Sequence, residues 1–245
     1  MPVEAQINRF IGHWRAVSER IGQLAGDRDR NVLVKALYSA LLDAYARCVY
    51  PTKSNRDRFV SFVRHFGGWA DFERISLPHL VMLLSRVPDP TFSPIRAQAA
   101  GLMAQWPRGS QPMLARDPTY QEIRNQWPVN PEQIILEGIS LQSLQHVQLL
   151  YTYRNSLVHE LRELGYGVED EQDLEPYYIS VTLFGPGNEG NIDAAEETWE
   201  LTYPLRFFAN LCARSLDALE AHLRRDQLDP YASYRFGTYW LTALN

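Results

Sequence analysis

The chain has 245 residues, of which 45% are hydrophobic and 22% are charged, a composition typical of a globular domain with a full core. Its formal net charge of −5 argues against a protein that coats nucleic acid electrostatically, although it is compatible with a local cationic site. No apolar run reaches the roughly 20 residues that span a bilayer, and the first residues lack the features of a signal peptide, so we expect a cytoplasmic protein without membrane contact.

The two cysteines, Cys48 and Cys212, stand in apolar helical contexts without a CxxC partner. They are predicted to be reduced core residues, with no disulfide framework and no zinc site. The chain also lacks a Walker loop, a dinucleotide fingerprint and an HExxH sequence, so we expect neither a metal nor a cofactor. Its cations are 22 arginines and 2 lysines, and an anion site would therefore be built from guanidinium groups.

Apolar residues at spacings of three and four predict four helices in the first part of the chain, over residues 3–24, 28–50, 55–68 and 76–87. The first two would form an antiparallel pair joined at Gly26 and Asp27. Ser76 is the predicted N-cap of the fourth helix, and Pro78 falls in its first turn, where proline is tolerated.

Seven prolines between Val87 and Asn130 break the next stretch into short pieces. We expect at most two short helices there, near 95–105 and 118–126, and interpret 88–130 as an irregular insertion. Residues 131–138 are predicted to be a helical turn.

The rest of the chain combines two long helices with one β signal. Residues 140–165 and 205–227 are predicted to be helical, the first of them ended by Gly165 and Gly167. Between them, hydrophobic and polar residues alternate from Tyr177 and again from Trp199, which predicts a β-hairpin over 176–205 with a glycine-rich acidic tip. The aromatic residues 231–240 are expected to pack back on the body. The prediction is thus a mainly α, up-down helical bundle, with 1–245 as a single domain and the hairpin as an elaboration.

The most informative residues lie in the helix 140–165, where Arg154, Asn155 and His159 form a constellation suited to a phosphodiester. A guanidinium is a permanent planar cation that matches phosphate oxygens. An imidazole can give or take a proton near pH 7. The spacing alone is weak evidence, because chance gives about half a match and Arg74 with His79 also fits.

Context distinguishes the two matches. The pair Arg74 and His79 straddles a helix start and contains proline, whereas Arg154 lies within a helix and is followed by asparagine. Asn155, His159 and Arg162 would form one polar line, opposite an apolar stripe of Leu150, Tyr153, Leu157, Leu161 and Leu164.

The helix geometry limits how the side chains of Arg154 and His159 can meet. Arg154 and His159 differ by about 140° around a helix axis. Arg154 must therefore extend across the surface to reach His159, or the two must meet through a second copy of the helix.

Structural interpretations stand beside these functional ones. Arg154 could pair with an acid such as Glu160 or with a neighbouring carboxylate, while His159 is an ordinary half-buried histidine.

The basic helix 55–68 could follow an RNA backbone or simply face solvent; its basic residues are Arg56, Arg58, Arg64 and His65. Asp43 and Tyr45 would border the motif if 28–50 packs on the motif helix, although a core or rim position is the simpler interpretation. Four aromatic residues of the hairpin region could stack bases or form its packing face, namely Tyr177, Tyr178, Trp199 and Tyr203.

A helical bundle with a late helix bearing Arg-Asn-x-x-x-His resembles the HEPN superfamily (higher eukaryotes and prokaryotes nucleotide-binding). Its signature is arginine, a polar residue, three further residues and histidine, and Arg154, Asn155 and His159 match it position by position. The segments 3–50 and 131–225 would supply the HEPN-like bundle of four to five helices.

The resemblance implies a metal-independent endoribonuclease. His159 would act as general base or acid, Arg154 would stabilise the charged transition state, and Asn155 would orient the phosphate or His159. Arg162, Arg58 and Arg64 are the further candidates for binding RNA phosphates. The products would be a 2′,3′-cyclic phosphate and a 5′-hydroxyl.

The resemblance also implies partners and a role. We expect an RNA substrate, a homodimer through the motif helix 140–165, and a toxin or anti-phage defence effector with an antitoxin or regulatory partner protein. Leu161 stands where some HEPN toxins carry a tyrosine that is modified, so that form of regulation is not expected. Other members bind nucleotides or act as scaffolds, which leaves a non-catalytic nucleotide-binding or protein-interaction module as the alternative. A third interpretation is an all-α adaptor in which the motif is a buried salt bridge.

Overall fold

The computed structural model describes residues 2–24, 30–107, 109–165, 169–170, 172–184 and 195–233. Within these ranges the chain forms eight α-helices and one two-stranded hairpin, which confirms the mainly α prediction. The helices are α1 (Val3–Gly22), α2 (Arg30–Val49), α3 (Asn55–Phe66), α4 (Leu77–Arg86), α5 (Ser93–Met103), α6 (Tyr120–Arg124), α7 (His146–Glu160) and α8 (Leu205–Arg225). The predictions for Gly26, Asp27, Gly167, the hairpin tip and most of the aromatic C-terminal segment lie outside the described residues.

Helix α2 is the centre of the bundle, with α1, α3, α7 and α8 packed around it. Its buried side chains cover a broad face that extends from Val34 and Leu41 to Ala46, while Leu33 and Leu37 on the opposite face are 49% and 41% exposed. A helix with so wide a buried face contacts several other elements at once. The placement of α2 against both α7 and α8 follows from this, and it brings α2 side chains next to the motif.

The motif helix is shorter than the prediction of 140–165. Its first N–H groups, those of His146 and Val147, donate to the carbonyls of Arg74 and Phe72, so the preceding residues 141–144 form a separate 3-10 helix. At the other end Leu161 adopts a left-handed conformation with φ 52°, which ends the α-helix after Glu160.

The early end of α7 overturns two details of the predicted helix faces. The polar line from Asn155 stops at His159, because Arg162 lies beyond the helix. The apolar stripe likewise stops at Leu157, since Leu161 and Leu164 are 61% and 37% exposed.

The proline-rich segment 88–130 packs into the same hydrophobic core as the bundle. Its buried residues are Phe92, Ile95, Ala99, Trp106, Leu114, Ile123 and Trp127. The two short helices predicted there are confirmed as α5 and α6, the second of which begins with a capping box between Thr119 and Glu122. Residues 131–138 form turns and an isolated bridge rather than a helical turn.

Strand β1 (Tyr177–Phe184) pairs antiparallel with β2 (Ala195–Thr202), in a register that joins Tyr177 to Thr202. The predicted hairpin is therefore confirmed, with a second strand that begins four residues before Trp199. Its base is fixed to the body, because the N–H of Tyr178 donates to the carbonyl of Pro112 and the Tyr178 ring is fully buried. None of the helices in the described ranges is long and apolar enough to cross a membrane.

Candidate functional site

The packing of α2 on α7 places Asp43 beside Arg154. Arg154 Nε donates to Asp43 Oδ2 at 2.8 Å, and Arg154 Nη2 donates to the same oxygen. The two side chains are only 13% and 19% exposed. Asp43 therefore borders the motif, which was one of its two interpretations, whereas Tyr45 has the core position of the simpler interpretation, in contact with Trp14 and Phe62.

The third guanidinium nitrogen of Arg154, Nη1, contacts the other two motif residues. Arg154 Nη1 donates to Asn155 Oδ1 at 2.8 Å and lies 3.4 Å from His159 Nε2. A guanidinium group can only donate, so His159 Nε2 carries its lone pair in this arrangement and the ring proton is on Nδ1. Arg154 thus reaches across the helix surface to His159 within one chain, and His159 itself is exposed to solvent.

The charges around Asp43 partly compensate its burial. Burial raises the pKa of the Asp43 carboxyl above its usual value, and the cations Arg154 and Arg58 oppose that rise. The guanidinium group of Arg154 therefore favours the charged form of Asp43 against the effect of burial. The structure supports one part of the structural interpretation of the motif, because Arg154 pairs with a neighbouring carboxylate, that of Asp43, whereas Glu160 pairs with Arg162.

The three further phosphate candidates have different positions. Arg58 donates to Asn55 at 2.7 Å and is near enough to Asp43 for its charge to act on that carboxyl. Arg64 donates to Gln145, the N-cap of α7, about 14 Å along the helix axis from Arg154. Arg162 lies after the end of α7, where it forms an exposed ion pair with Glu160. Among the three, Arg58 is thus the one whose charge lowers the pKa of Asp43, the carboxylate that binds Arg154.

A buried lysine that sequence reasoning did not identify fixes the end of the motif helix. Lys35 of α2 is fully buried, and its ammonium lies 2.9 Å from both Glu163 and Glu169, with the Tyr153 hydroxyl 3.4 Å away. Two carboxylates and a hydroxyl supply the partners that a buried ammonium needs. Together with Asp43, this cluster attaches the segment after α7 to α2 and holds the motif in place.

A second polar cluster, also missed from the sequence, surrounds the first residue of α7. His146 Nε2 lies 2.7 Å from Asp117 Oδ2, and the Tyr178 hydroxyl contacts the same oxygen at 2.7 Å. Ser76 Oγ lies 2.8 Å from that hydroxyl and 2.7 Å from His79 Nδ1. We call these five residues the buried network. They come from separate segments, and no spacing in the sequence connects them.

The chemistry of the buried network defines the direction of its hydrogen bonds. A carboxylate only accepts, so the Tyr178 hydroxyl donates its single proton to Asp117. Ser76 then donates to the Tyr178 oxygen and accepts from His79 Nδ1. Burial, reinforced by the neighbouring His146, lowers the pKa of His79 to about 4, so His79 is neutral at pH 7 and its Nε2 is an acceptor.

The cluster also explains two predicted features near α4. Ser76 is the N-cap residue as predicted, but its hydroxyl serves the buried network, and Asp117 accepts the N–H of Leu77 instead. Arg74 donates to Asp71 and to the Asp117 carbonyl. The second sequence match, Arg74 with His79, is therefore structural.

Comparison with known proteins gives no match, whether against family models, curated proteins or solved structures. Across the described ranges, no three side chains of His, Cys, Asp or Glu are grouped so that they could hold a metal ion. The geometry of Arg154, Asn155 and His159 is therefore the basis for a functional argument.

Proposed function

We propose that the protein is a metal-independent endoribonuclease of HEPN type. The supporting observation is that one nitrogen, Arg154 Nη1, lies within 3.4 Å of both Asn155 Oδ1 and His159 Nε2 while His159 is open to solvent. A proton acceptor and a permanent cation thus face the same accessible space. This is the pair that cleavage of a phosphodiester by an adjacent hydroxyl requires.

In the proposed reaction RNA supplies its own nucleophile, the 2′-hydroxyl. His159 Nε2 removes the 2′-proton as the 2′-oxygen attacks phosphorus, and the bond to the 5′-oxygen breaks. The departing oxygen takes a proton from water and becomes a 5′-hydroxyl, His159 releases the 2′-proton to solvent, and the other product carries a 2′,3′-cyclic phosphate. Arg154 stabilises the additional negative charge on the phosphoryl oxygens in the transition state.

Asp43 acts as a positioning residue in this proposal. It binds Arg154 through Nε and Nη2, which leaves Nη1 directed towards Asn155 and His159. An entering phosphate oxygen would replace His159 Nε2 as the acceptor for Nη1 and free the imidazole lone pair to take the proton. Arg58 adds positive charge on the α3 side, because its charge already acts on Asp43.

The biological role and assembly belong to the same proposal. We propose a homodimer through α7, with a toxin or anti-phage defence role and an antitoxin or regulatory partner, on the basis of the HEPN resemblance. The exposed Leu161 and Leu164, directly after the motif helix, offer apolar surface for a second copy.

A second candidate function follows from the ion pair itself. Arg154 is already hydrogen-bonded by Asp43 and Asn155, which suits a site that binds a nucleotide or a partner protein without cleaving RNA. Such a module would leave RNA intact. It would show a ligand-dependent rise in melting temperature that Arg154→Ala abolishes.

The test incubates purified protein with total RNA in the presence of EDTA, alongside His159→Ala and a matched control, His13→Ala, at an exposed histidine on α1. We expect the wild type and the control to release 2′,3′-cyclic phosphate ends and the His159→Ala rate to fall at least 100-fold. Equal cleavage by wild type and His159→Ala, or none by either, would refute the nuclease proposal.

A further inference from the structure

A cavity of about 470 Å³ lies between α4, α7 and β2, on a different part of α7 from the contact with Asp43. Its volume falls in the range of small-molecule sites. It is also about three times the volume of a cavity of roughly 150 Å³ that takes up one benzene ring. The cavity therefore has room for a ligand of about two fused rings.

Most of the cavity wall is apolar or aromatic. Its residues include Leu149, Trp199 and Leu201, together with Met82 and Leu164, which are 47% and 37% exposed. Such a wall favours an apolar ligand body, because a polar group that leaves water without finding a partner costs free energy.

Two tyrosines of the wall, Tyr153 and Tyr203, contribute ring surface rather than hydroxyl groups. Their ring centroids are 5.2 Å apart. The Tyr203 hydroxyl donates to the His146 carbonyl at 3.2 Å, and the Tyr153 hydroxyl lies 3.4 Å from the Lys35 ammonium. Because both hydroxyls are engaged, these residues present aromatic surface to the cavity, which suits an aromatic ligand.

The ionisable residues that the structure describes on this wall offer no free charge to a ligand. Glu200 already has an interaction partner in the protein, and His79 is neutral at pH 7. A charged ligand would lose its hydration in the cavity without gaining an opposite charge. We therefore expect an uncharged ligand.

His79 supplies a hydrogen-bond acceptor that is open to the cavity. Its Nδ1 donates to Ser76 Oγ at 2.7 Å, which leaves the lone pair on Nε2. Throughout the described ranges no group forms a hydrogen bond with Nε2, and protein atoms do not fully enclose it. The hydrogen bonds from Ser76 to Tyr178 and from Tyr178 to Asp117 fix this tautomer, because each proton in the series points towards the carboxylate.

We propose that this cavity binds an uncharged aromatic molecule of about two rings whose N–H or O–H group donates to His79 Nε2. A ligand without such a donor would displace water from Nε2 and leave a polar atom without a partner. The Thr198 hydroxyl, also on the wall, can donate or accept and so does not select between ligands. The proposal is independent of the ribonuclease function, because it uses neither Arg154 nor His159.

NMR titration of the full chain with indole and 1-methylindole tests the proposed hydrogen bond. The two molecules have the same rings, and the methyl group replaces only the N–H donor. We expect indole to bind about tenfold more tightly, because 1-methylindole leaves His79 Nε2 without a partner. The pair of 2-naphthol and 2-methoxynaphthalene repeats the comparison for an O–H donor, with the same expected ratio. The charged 2-naphthoate should bind at least tenfold more weakly than 2-naphthol.

Variants of the wall assign the preference to His79. His79→Phe keeps a ring but has no acceptor, so it should bind indole and 1-methylindole equally. His13→Phe, at an exposed histidine of α1, is the matched control and should keep the tenfold preference. Met82→Trp narrows the cavity and should weaken the binding of both ligands. In wild-type protein with ¹⁵N-labelled histidine, the resonance of the unprotonated His79 nitrogen should move as indole binds, a measurement that requires no variant to fold.

Several results would overturn the proposal. These are failure of indole and 2-naphthol to bind, equal affinity for the methylated counterparts, and a His79 resonance that indole does not move. A preference for indole that His79→Phe retains would assign the acceptor to another group and would equally overturn it. None of these measurements involves RNA, so their outcome is separate from that of the ribonuclease test.

Discussion

The two ends of α7 carry histidines in opposite environments. His146, its first residue, is fully buried, and its Nε2 is hydrogen-bonded to Asp117. His159, near its last residue, is exposed and lies beside Arg154. The comparison shows that residue type does not determine role. A histidine that solvent cannot reach serves the fold, whereas one that faces solvent next to a held cation is available for chemistry.

The two Arg-x4-His matches also show that surroundings, and not residue type alone, determine role. Arg74 precedes α4, which begins at Leu77, so Arg74 and His79 do not share a helix and each bonds a different partner. Arg154 and His159 share α7, and the long arginine side chain spans the angle between them. Identical spacing therefore gives a contact in only one of the two cases.

The largest expected effect is a loss of stability at the buried end of α7. Asp117→Ala removes the acceptor for the Leu77 N–H, His146 and Tyr178, which leaves three buried donors without their partner. We expect the free energy of unfolding to fall by about 3–5 kcal/mol in urea titrations. Asp217→Ala, at an exposed carboxylate paired with Arg15, is the control and should cost less than about 1 kcal/mol. A similar small loss for both variants would contradict the structural importance of the buried network.

The next effect is the pH dependence of that network. The pKa of His79 is about 4 in the folded protein and about 6.5 in the unfolded chain, so only the unfolded state binds this proton between those values. Stability is therefore lost as pH falls from 6.5 to 4, by about 3 kcal/mol from this one group. Denaturant titrations from pH 7 to 4 should show a shallower decline for His79→Asn than for the wild type.

His13→Gln, at an exposed histidine of α1, is the control for this pH series and should keep the wild-type slope. Parallel slopes for His79→Asn and the wild type would mean that His79 takes up its proton equally in both states.

Some parts of the fold could be predicted from the sequence and others could not. The first four helices and the hairpin were predictable because periodicity and alternation are local signals. The end of α7 was not, since it depends on the left-handed Leu161 and on Lys35, a distant residue that holds Glu163. The buried network has no sequence signal, because its members meet only through tertiary packing.

The candidate site was only partly predictable for the same reason. The motif residues follow from their order in the chain, and their contact within one chain was one of two alternatives. Asp43 could be named only as a border residue, because its contact with Arg154 requires knowledge of how α2 packs on α7.

At the exposed end of α7, a smaller effect should show whether Asp43 positions Arg154 or binds the substrate. Asp43→Asn keeps one acceptor for Arg154 but removes the charge that holds it. If Asp43 positions Arg154, kcat for RNA cleavage should fall about tenfold, roughly 1.4 kcal/mol in the barrier. KM should stay constant or fall, since the cation loses its counterion. Asp43→Glu should restore part of kcat, and a rise in KM at constant kcat would instead assign Asp43 to substrate binding.

The smallest expected effect completes the comparison of the two histidines. His159→Gln removes an exposed side chain whose hydrogen bond to Arg154 is long, so the free energy of unfolding should change by less than about 0.5 kcal/mol. His146→Gln should cost about 2–3 kcal/mol, because it disturbs a buried bond to a carboxylate. Equal losses in urea titrations would show that His159 is held by the fold as firmly as His146. A near-zero loss at His159 would mean that the fold does not need an imidazole at this position.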